Sequence, residues 1–433
     1  MKKSSKSVWS RFVMTFAAAF LLMFVTTVPV KADSSVPLVK GMKQTDASTN
    51  SAGISWSCPG NGIRFKIEYS EQISTGYKDY TNNIPQSSAS LTLTKLEPGK
   101  VYYVQITPIR YKLEGLGKYT TIKGTTSQPF RVVTEPDSAP ASLTHVKSST
   151  DTIKVKWSEV PGADVYQVVY SQSGTANEFT KETTGTSVTL KKLSKDARYT
   201  IQVRAGMKYT DGRGRAWGPG TTKYDVPVKP TKVEGVKVKG YYQNFSKINI
   251  TNKAKTCADG YQYQLYTAYK GQDKETLVKS ISVNQNNPSS SNMVSANMKV
   301  SALNKHNFYK VRVRAYSLNS KNEKIYGVWS SWKYVSPQPD VTKKQKVKKG
   351  IKIKWDKING ADNYVVYVST KKDSGYKKFQ TTGKNSTTIT KYGKNKLKSG
   401  KTYYFYVVAQ KKVDNKYLSG AAGNATKRWS MTY

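Results

Sequence analysis

The chain has 433 residues, and its 71 lysines and arginines outnumber its 27 aspartates and glutamates to give a formal net charge of +44. With only two cysteines and two histidines, the sequence excludes a disulfide scaffold and offers no His/Cys cluster with metal-ligand spacing. The length exceeds what one hydrophobic core usually supports, so we expect several domains. Because no ligand spacing is present, we expect no cofactor.

The first 32 residues have the pattern of a secretory signal peptide. A positively charged start leads into an apolar run from Phe12 to Val28, and Val30-Lys31-Ala32 forms a small-residue cleavage site. The apolar run is short for a membrane span, which leaves a retained anchor as the less favoured alternative. We therefore expect an exported chain with no membrane span after cleavage, and its scarcity of cysteine favours a bacterial product.

A leucine followed six residues later by a tyrosine occurs four times, and each tyrosine opens an alternating strand. The tyrosines are 94 to 110 residues apart, which matches a seven-stranded β-sandwich, and the local pattern is typical of a tyrosine corner. The sequence therefore predicts a string of small β-domains. The pairs are Leu96/Tyr102, Leu193/Tyr199, Leu303/Tyr309 and Leu397/Tyr403.

The second and fourth repeats show the strand pattern most clearly. In each, two aliphatic residues and a tryptophan alternate with lysines, as in Ile153, Val155 and Trp157, and a Gly-Ala-Asp-x-Tyr turn follows. The third repeat departs from this pattern, because Ile250 stands where the tryptophan is expected. The polar stretch 284–292 of the third repeat is predicted to be a loop insertion.

These motifs, together with Gly-x-Trp-Ser at 327–330, resemble the fibronectin type III domain. The resemblance implies an all-β fold: a tandem array of four fibronectin type III-like, immunoglobulin-like β-sandwiches after the signal peptide, at residues 33–136, 137–230, 231–339 and 340–433. It also implies a structural role for the corner tyrosines, whose hydroxyls bond to nearby backbone: Tyr102, Tyr199, Tyr309 and Tyr403. The family serves adhesion, spacing and ligand display, and this chain resembles its bacterial secreted members.

Positive charge rises along the chain, from 12 basic against 8 acidic residues in 33–136 to 23 against 5 in 340–433. Seven lysines of the fourth repeat lie on or beside its first two strands, and we expect adjacent strands to merge them into one face: Lys343, Lys344, Lys346, Lys348, Lys349, Lys352 and Lys354. A second row in the third repeat consists of Lys310, Arg312 and Arg314.

We hypothesise that these faces bind an anionic polymer, such as a cell-wall polymer, an acidic glycan or extracellular DNA. The alternative is a solvated surface whose lysines keep edge strands from pairing. Four aromatic side chains are predicted to face outward, namely Tyr404, Tyr406, Trp329 and Trp332. Exposed rings would favour an array of carbohydrate-binding modules, but cross-strand packing under lysine stems is the favoured interpretation. A protein or carbohydrate ligand is an alternative partner. A passive spacer is a second alternative.

Catalysis has little support in the sequence. His145 and His306 fall in different repeats, and neither a nucleophile elbow nor a phosphate-binding loop is present. Cys58 and Cys257 also fall in different repeats and are expected to be unpaired thiols. We predict a non-enzymatic secreted protein for extracellular or cell-surface interaction and adhesion, with its charge holding it to the cell wall.

Overall fold

The structure of the protein is a computed structural model, and it describes residues 36–240, 247–268, 276–285, 292–300, 303, 306–419 and 427–433. The predicted signal peptide and residues 286–291 of the predicted loop insertion lie outside the described residues. The chain divides into two compact units. The first holds most of repeat 1 together with Tyr209–Gly214, and the second holds the rest of repeat 2 with repeats 3 and 4.

Repeat 1 is built from β1 (Lys40–Ala47), β2 (Ser51–Ser57), β3 (Ile63–Ser70), β4 (Lys78–Pro85), β5 (Ser90–Thr94), β6 (Val101–Gly115), β7 (Lys118–Lys123) and β8 (Phe130–Val133), with a short 3-10 turn at Gln86–Ser88. One antiparallel sheet has the order β1-β2-β5. The other has the order β4-β3-β6-β7, and β8 also pairs with β6. The apolar residues of both sheets point into one core between them.

Repeat 2 follows with β9 (Thr144–Ser148), β10 (Ile153–Lys156), β11 (Val165–Gln172), β12 (Glu178–Thr183), β13 (Ser187–Leu190), β14 (Arg198–Lys208) and β15 (Arg215–Pro227). Its sheets have the orders β13-β10-β9 and β12-β11-β14-β15. The predicted alternation is observed: Ile153, Val155 and Trp157 are buried, whereas Lys156 is exposed.

Repeat 3 contains β16 (Lys237–Gly240), β17 (Lys247–Lys253), β18 (Gly260–Thr267), β19 (Leu277–Asn284), β20 (Met293–Lys299), β21 (Tyr309–Leu318), β22 (Lys324–Tyr326) and β23 (Lys333–Val335). Its sheets have the orders β16-β17-β20 and β19-β18-β21-β22, and β23 also pairs with β21. Ile250 is fully buried at the missing tryptophan position, beside the fully buried Tyr261 and Tyr263. Tyr263 donates a hydrogen bond to Asn252 Oδ1 at 2.8 Å, which satisfies its hydroxyl inside the core.

Repeat 4 contains β24 (Val341–Val347), β25 (Gly350–Trp355), β26 (Asn363–Ser369), β27 (Lys377–Thr382), β28 (Ser386–Ile389), β29 (Lys391–Tyr392), β30 (Asn395–Lys396), β31 (Thr402–Val413), β32 (Lys416–Ser419) and β33 (Trp429–Thr432). Its main sheets have the orders β24-β25-β28 and β27-β26-β31-β32, and β33 also pairs with β31. The fold is thus the expected all-β tandem array of four sandwiches.

Two hydrogen bonds hold the Gly-Ala-Asp-x-Tyr turn in repeat 2. The Val160 amide donates to the Tyr166 hydroxyl at 2.9 Å, and the Lys208 amide donates to Asp164 Oδ1 at 3.0 Å. The same bonds recur in repeat 4, from Ile358 to Tyr364 and from Lys412 to Asp362. This motif is therefore explained by the fold, because its tyrosine and aspartate satisfy backbone donors at the ends of strands.

The corner tyrosines are buried and act in the same way. The Ser194 amide donates to the Tyr199 hydroxyl at 2.7 Å, and the Lys398 amide donates to the Tyr403 hydroxyl at 2.9 Å. These are the bonds that a tyrosine corner makes. Tyr102 and Tyr309 are equally buried, each with 3% of its surface exposed.

Candidate polyanion-binding surface

Three lysines of repeat 4 share the outward face of the β24-β25-β28 sheet, and we call them the lysine sheet: Lys343, Lys352 and Lys354. Lys343 lies directly opposite Lys354 across the β24–β25 pair. All three side chains are exposed because the alternating residues Ile351 and Ile353 occupy the buried face. Their separations follow from sheet geometry, about 5 Å between opposite residues and about 7 Å between alternate residues on a strand.

The other side chains on this face carry no charge. Lys352 lies between Gln345 and Thr388, and Lys354 has Ser386 on its second side. Among the residues that the structure describes, no carboxylate forms an ion pair with any of the seven predicted lysines. Like charges directly opposite each other destabilise a sheet, so an anion bound here would relieve a repulsion that the fold leaves uncompensated.

Two of the predicted lysines lie on the other side of β24, so the prediction of a single merged face is wrong for them. Lys344 pairs with Ile353 and Lys346 with Ile351, which turns both away from the lysine sheet. The ammonium of Lys344 donates to the Ser430 carbonyl at 2.7 Å, and Lys346 lies 5.3 Å from the Tyr433 ring centroid. The physical reason is the alternation of side chains along an edge strand.

The remaining pair, Lys348 and Lys349, forms the turn between β24 and β25, and both side chains are exposed. Gly350 follows with a φ of 154°, and a Cβ there would overlap the carbonyl oxygen of Ile389. Only glycine fits that close approach, so this residue fixes where the turn ends and β25 begins. The two turn lysines add charge at one end of the lysine sheet.

The three cations predicted for repeat 3 lie instead in a cation–aromatic ladder, which consists of Lys310, Arg312, Arg314, Tyr326, Trp329 and Trp332. Only 5% of Lys310 is exposed, and its ammonium lies 4.1 Å from the Trp332 ring centroid. The prediction of an exposed, polymer-facing Lys310 is therefore wrong, because the Trp332 ring covers it.

The guanidinium groups of the ladder are stacked between rings. Arg312 lies 4.2 Å from the Trp329 centroid and 4.9 Å from that of Trp332, and it donates to Gln264 Oε1 at 2.9 and 2.7 Å. Arg314 lies 3.7 Å from the Tyr326 centroid. Burial lowers the pKa of Arg314. Both arginines are half-buried and already engaged within the repeat, unlike the lysine sheet.

The four aromatic residues predicted to be exposed are half-buried. Trp329 and Trp332 are covered by the ladder cations. Tyr406 stacks on Tyr367 at 4.9 Å with an interplanar angle of 15°, as cross-strand aromatic pairs do. Tyr404 lies opposite Ser369 on the neighbouring strand. The sequence does contain a signal for the ladder, the Trp-Ser-Ser-Trp motif at 329–332. Its two rings pack against Arg312 on β21.

Repeats 2 and 3 meet in a polar joint that no pattern in the sequence predicts. Asp196 accepts hydrogen bonds from the Thr231 amide at 2.8 Å and from the Lys255 ammonium at 2.9 Å. Burial raises the pKa of Asp196, but the bonds from Thr231 and Lys255 outweigh it, so the pKa lies below its usual value. Arg198 pairs with Asp259 at 2.5 Å. These residues stand far apart in the sequence and have no shared motif.

Both cysteines are free thiols, as expected. Cys257 belongs to repeat 3 in sequence but packs into the hydrophobic core of repeat 2. Burial raises the pKa of its thiol to about 11, which keeps it protonated and unreactive at neutral pH. Within the described residues, no group of three or more His, Cys, Asp and Glu side chains is arranged to hold a metal ion.

Residues 37–121 and 138–240 match the family model described as Fibronectin type III domain. These two segments are therefore similar to fibronectin type III domains. The chain is 27% identical over 205 residues to the collagen alpha-1(XII) chain of Notophthalmus viridescens, which covers 45% of this chain and 21% of that protein. It is 27% identical over 129 residues to the human cell adhesion molecule-related/down-regulated by oncogenes protein, covering 27% of this chain and 10% of that protein.

The chain therefore spans at most about a fifth of the length of these curated relatives. Among solved structures, the chicken CNTN1 FN1-FN3 domains align with 69% of this chain and 97% of that one, with 19% identity and a TM-score of 0.27. In the part of the chain that the structure describes, no helix is long and apolar enough to cross a membrane.

Proposed function

We propose that this chain is an extracellular adhesion-type protein that holds an anionic polymer on the lysine sheet of repeat 4. Two segments similar to fibronectin type III domains and relatives named as a collagen chain and a cell adhesion molecule support the adhesion role. The observation that carries the polymer hypothesis is the Lys343–Lys354 pair, two exposed lysines directly opposite each other with uncharged neighbours.

The polymer class is set by the chemistry of lysine. Ammonium groups on flexible stems attract anionic groups as point charges and do not select their shape. Teichoic acid, a sulfated or uronic glycan and extracellular DNA all present such groups in a row. We therefore expect retention that weakens steeply with added salt and depends little on the identity of the anionic group.

The test compares two triple variants of residues 33–433, the predicted mature chain, on immobilised heparin, wall teichoic acid and single-stranded DNA. The first variant is K343Q/K352Q/K354Q. The matched control is K371Q/K378Q/K384Q, which removes the same charge from other exposed positions of repeat 4. The logarithm of the binding constant falls linearly with the logarithm of the salt concentration. Losing three phosphate contacts on single-stranded DNA would make this negative slope shallower by about 2.

The first variant is expected to elute at a lower salt concentration than the control on all three polymers. Equal elution of the two variants would show that net charge alone causes retention and would remove the lysine sheet as a site. Retention that does not change with salt would overturn the polyanion proposal and favour aromatic stacking on sugars, whereas no retention at all would favour a passive spacer.

A further inference from the structure

A second surface of interest is the hairpin at the end of β6 and β7 in repeat 1. All of residues 111–115 of β6 are exposed, as is most of β7, so both strands extend beyond the sandwich core. The turn between the strands is Leu116-Gly117, and Gly117 has a φ of 75°. An isolated two-stranded hairpin is only marginally stable in water, so this extension has little support from its own contacts.

The register of the hairpin sorts its side chains into two faces. Leu113 lies opposite Tyr119, and Tyr111 is on the same side of β6, so these three side chains form one apolar face. On the other face, the Lys112 ammonium pairs with Glu114 at 3.4 Å. Leu116 caps the hairpin with its side chain fully exposed.

The exposed fractions of these apolar side chains are large: 43% for Tyr111, 59% for Leu113, 110% for Leu116 and 64% for Tyr119. The equivalent turns of the other repeats differ. Residues 210–213 of repeat 2 and 319–323 of repeat 3 are polar or glycine, and in repeat 4 Tyr417 and Leu418 point to opposite faces. An apolar hairpin face is therefore a property of repeat 1 and not a requirement of the fold.

We propose that the tip of this hairpin inserts into an anionic lipid surface. The order of residues from the turn outward is the order of depth in such a surface: Leu116 first, Leu113 and Tyr119 next, and Tyr111 last, where a tyrosine hydroxyl meets the headgroups. At ~3.3 Å per residue, Leu113 lies within ~10 Å of the tip, which matches the depth of interfacial insertion.

The charge of the chain favours a lipid surface over a second copy of the chain as the partner of this apolar face. Lys112 and Lys118 lie on the opposite face of the hairpin from Leu113, Lys123 lies at its base, and all three are exposed. Their flexible stems let the ammonium groups reach anionic headgroups while the apolar side chains insert. A second copy would bring two chains of net charge +44 together and would be repelled. The few apolar side chains predict reversible binding and not a permanent anchor.

The test measures co-sedimentation of residues 33–433 with vesicles of phosphatidylcholine and phosphatidylglycerol in equal amounts. The variant is L113S/L116S, and the matched control is I73S. Ile73 is 55% exposed and follows β3 at the opposite end of repeat 1. Sedimentation at ~1 M salt, where the Debye length is ~3 Å, removes the attraction due to the lysine sheet and isolates apolar insertion.

At high salt, L113S/L116S is expected to partition onto vesicles at least ~10-fold less than the wild type, while I73S partitions as the wild type does. Thermal unfolding of both variants should match the wild type, since all three side chains are exposed. Equal partitioning of L113S/L116S and the wild type, or an equal loss in I73S, would overturn the proposal. A vesicle-free dimer that L113S/L116S dissociates would assign the face to a second copy instead.

Discussion

Repeats 3 and 4 both carry cations on the outward side of sandwich strands, yet the structure uses them differently. In repeat 3, Trp329 and Trp332 fill the spaces between Lys310, Arg312 and Arg314, so the charges are stacked and half-buried or buried. In repeat 4, the residues between the lysines are uncharged and do not cover them.

The difference shows that a count of positive charges does not identify a binding surface. A guanidinium that is stacked between rings and bonded to a glutamine stabilises the fold, and it has fewer donors left for a ligand. A lysine with a solvated head and an opposite lysine contributes little to stability. Stability and binding should therefore respond in opposite ways in the two repeats.

The largest expected effect is on stability in repeat 3. R312A removes stacking on two tryptophan rings and the bonds to Gln264, so the local unfolding free energy of β21 should fall by about 2–3 kcal/mol. The matched change K352A, at an outward position of β25, should stay within about 0.5 kcal/mol. Hydrogen exchange of the β21 and β25 amides measures both, because it reports each repeat separately.

R312K sharpens this test because it keeps the charge but loses the planar fork and its stacking. We expect it to lose about half of the stability that R312A loses, with unchanged retention on polyanions. If R312A instead left β21 as stable as K352A leaves β25, the ladder would not stabilise repeat 3, and its cations would return as binding candidates.

Much of this architecture could be predicted from the sequence, because period-two alternation and corner tyrosines are local signals. The burial of Trp157 and Trp355 followed directly from their strand patterns. Which face of the sheet carries Lys344 and Lys346 could not be predicted. Side chains alternate along β24, but the pairing of β24 with β25 decides which alternate set faces outward. The Asp196–Lys255 contact is also beyond sequence reasoning, because it joins two repeats through unrelated positions.

A third setting for a cation is the ion pair at the joint of repeats 2 and 3, where Lys255 contacts Asp196. Because the folded pKa of Asp196 is below its unfolded value of about 3.9, the pair stabilises the joint above that pH. This stability is lost as pH falls through the folded pKa. Neither the ladder nor the lysine sheet contains a carboxylate, so neither should respond to acid.

The measurement is hydrogen exchange of the amides around Asp196 and of those in β21 and β25, between about pH 5 and pH 2. D196N should cost about 2 kcal/mol at neutral pH, since Lys255 loses its carboxylate and keeps only its bond to the Thr231 hydroxyl, and should show a smaller further loss in acid. An acid response of D196N as large as that of the wild type would place the titrating group elsewhere.

The smallest expected effect concerns Lys343 and has the opposite sign to the others. K343T relieves the repulsion with Lys354 and introduces a good strand former, so repeat 4 should gain up to about 0.5 kcal/mol at low salt. The gain should disappear as salt is added. The matched change K344T removes the bond to the Ser430 carbonyl and should give no gain.

The same K343T protein should bind polyanions more weakly, because the opposite lysine pair is lost. A residue whose removal stabilises the fold and weakens binding is retained for binding, as is common at functional sites. If K343T instead leaves polymer binding intact and promotes aggregation, Lys343 protects the β24 edge and the charge of repeat 4 serves solubility. Retention on heparin and light scattering of the same sample distinguish these two roles.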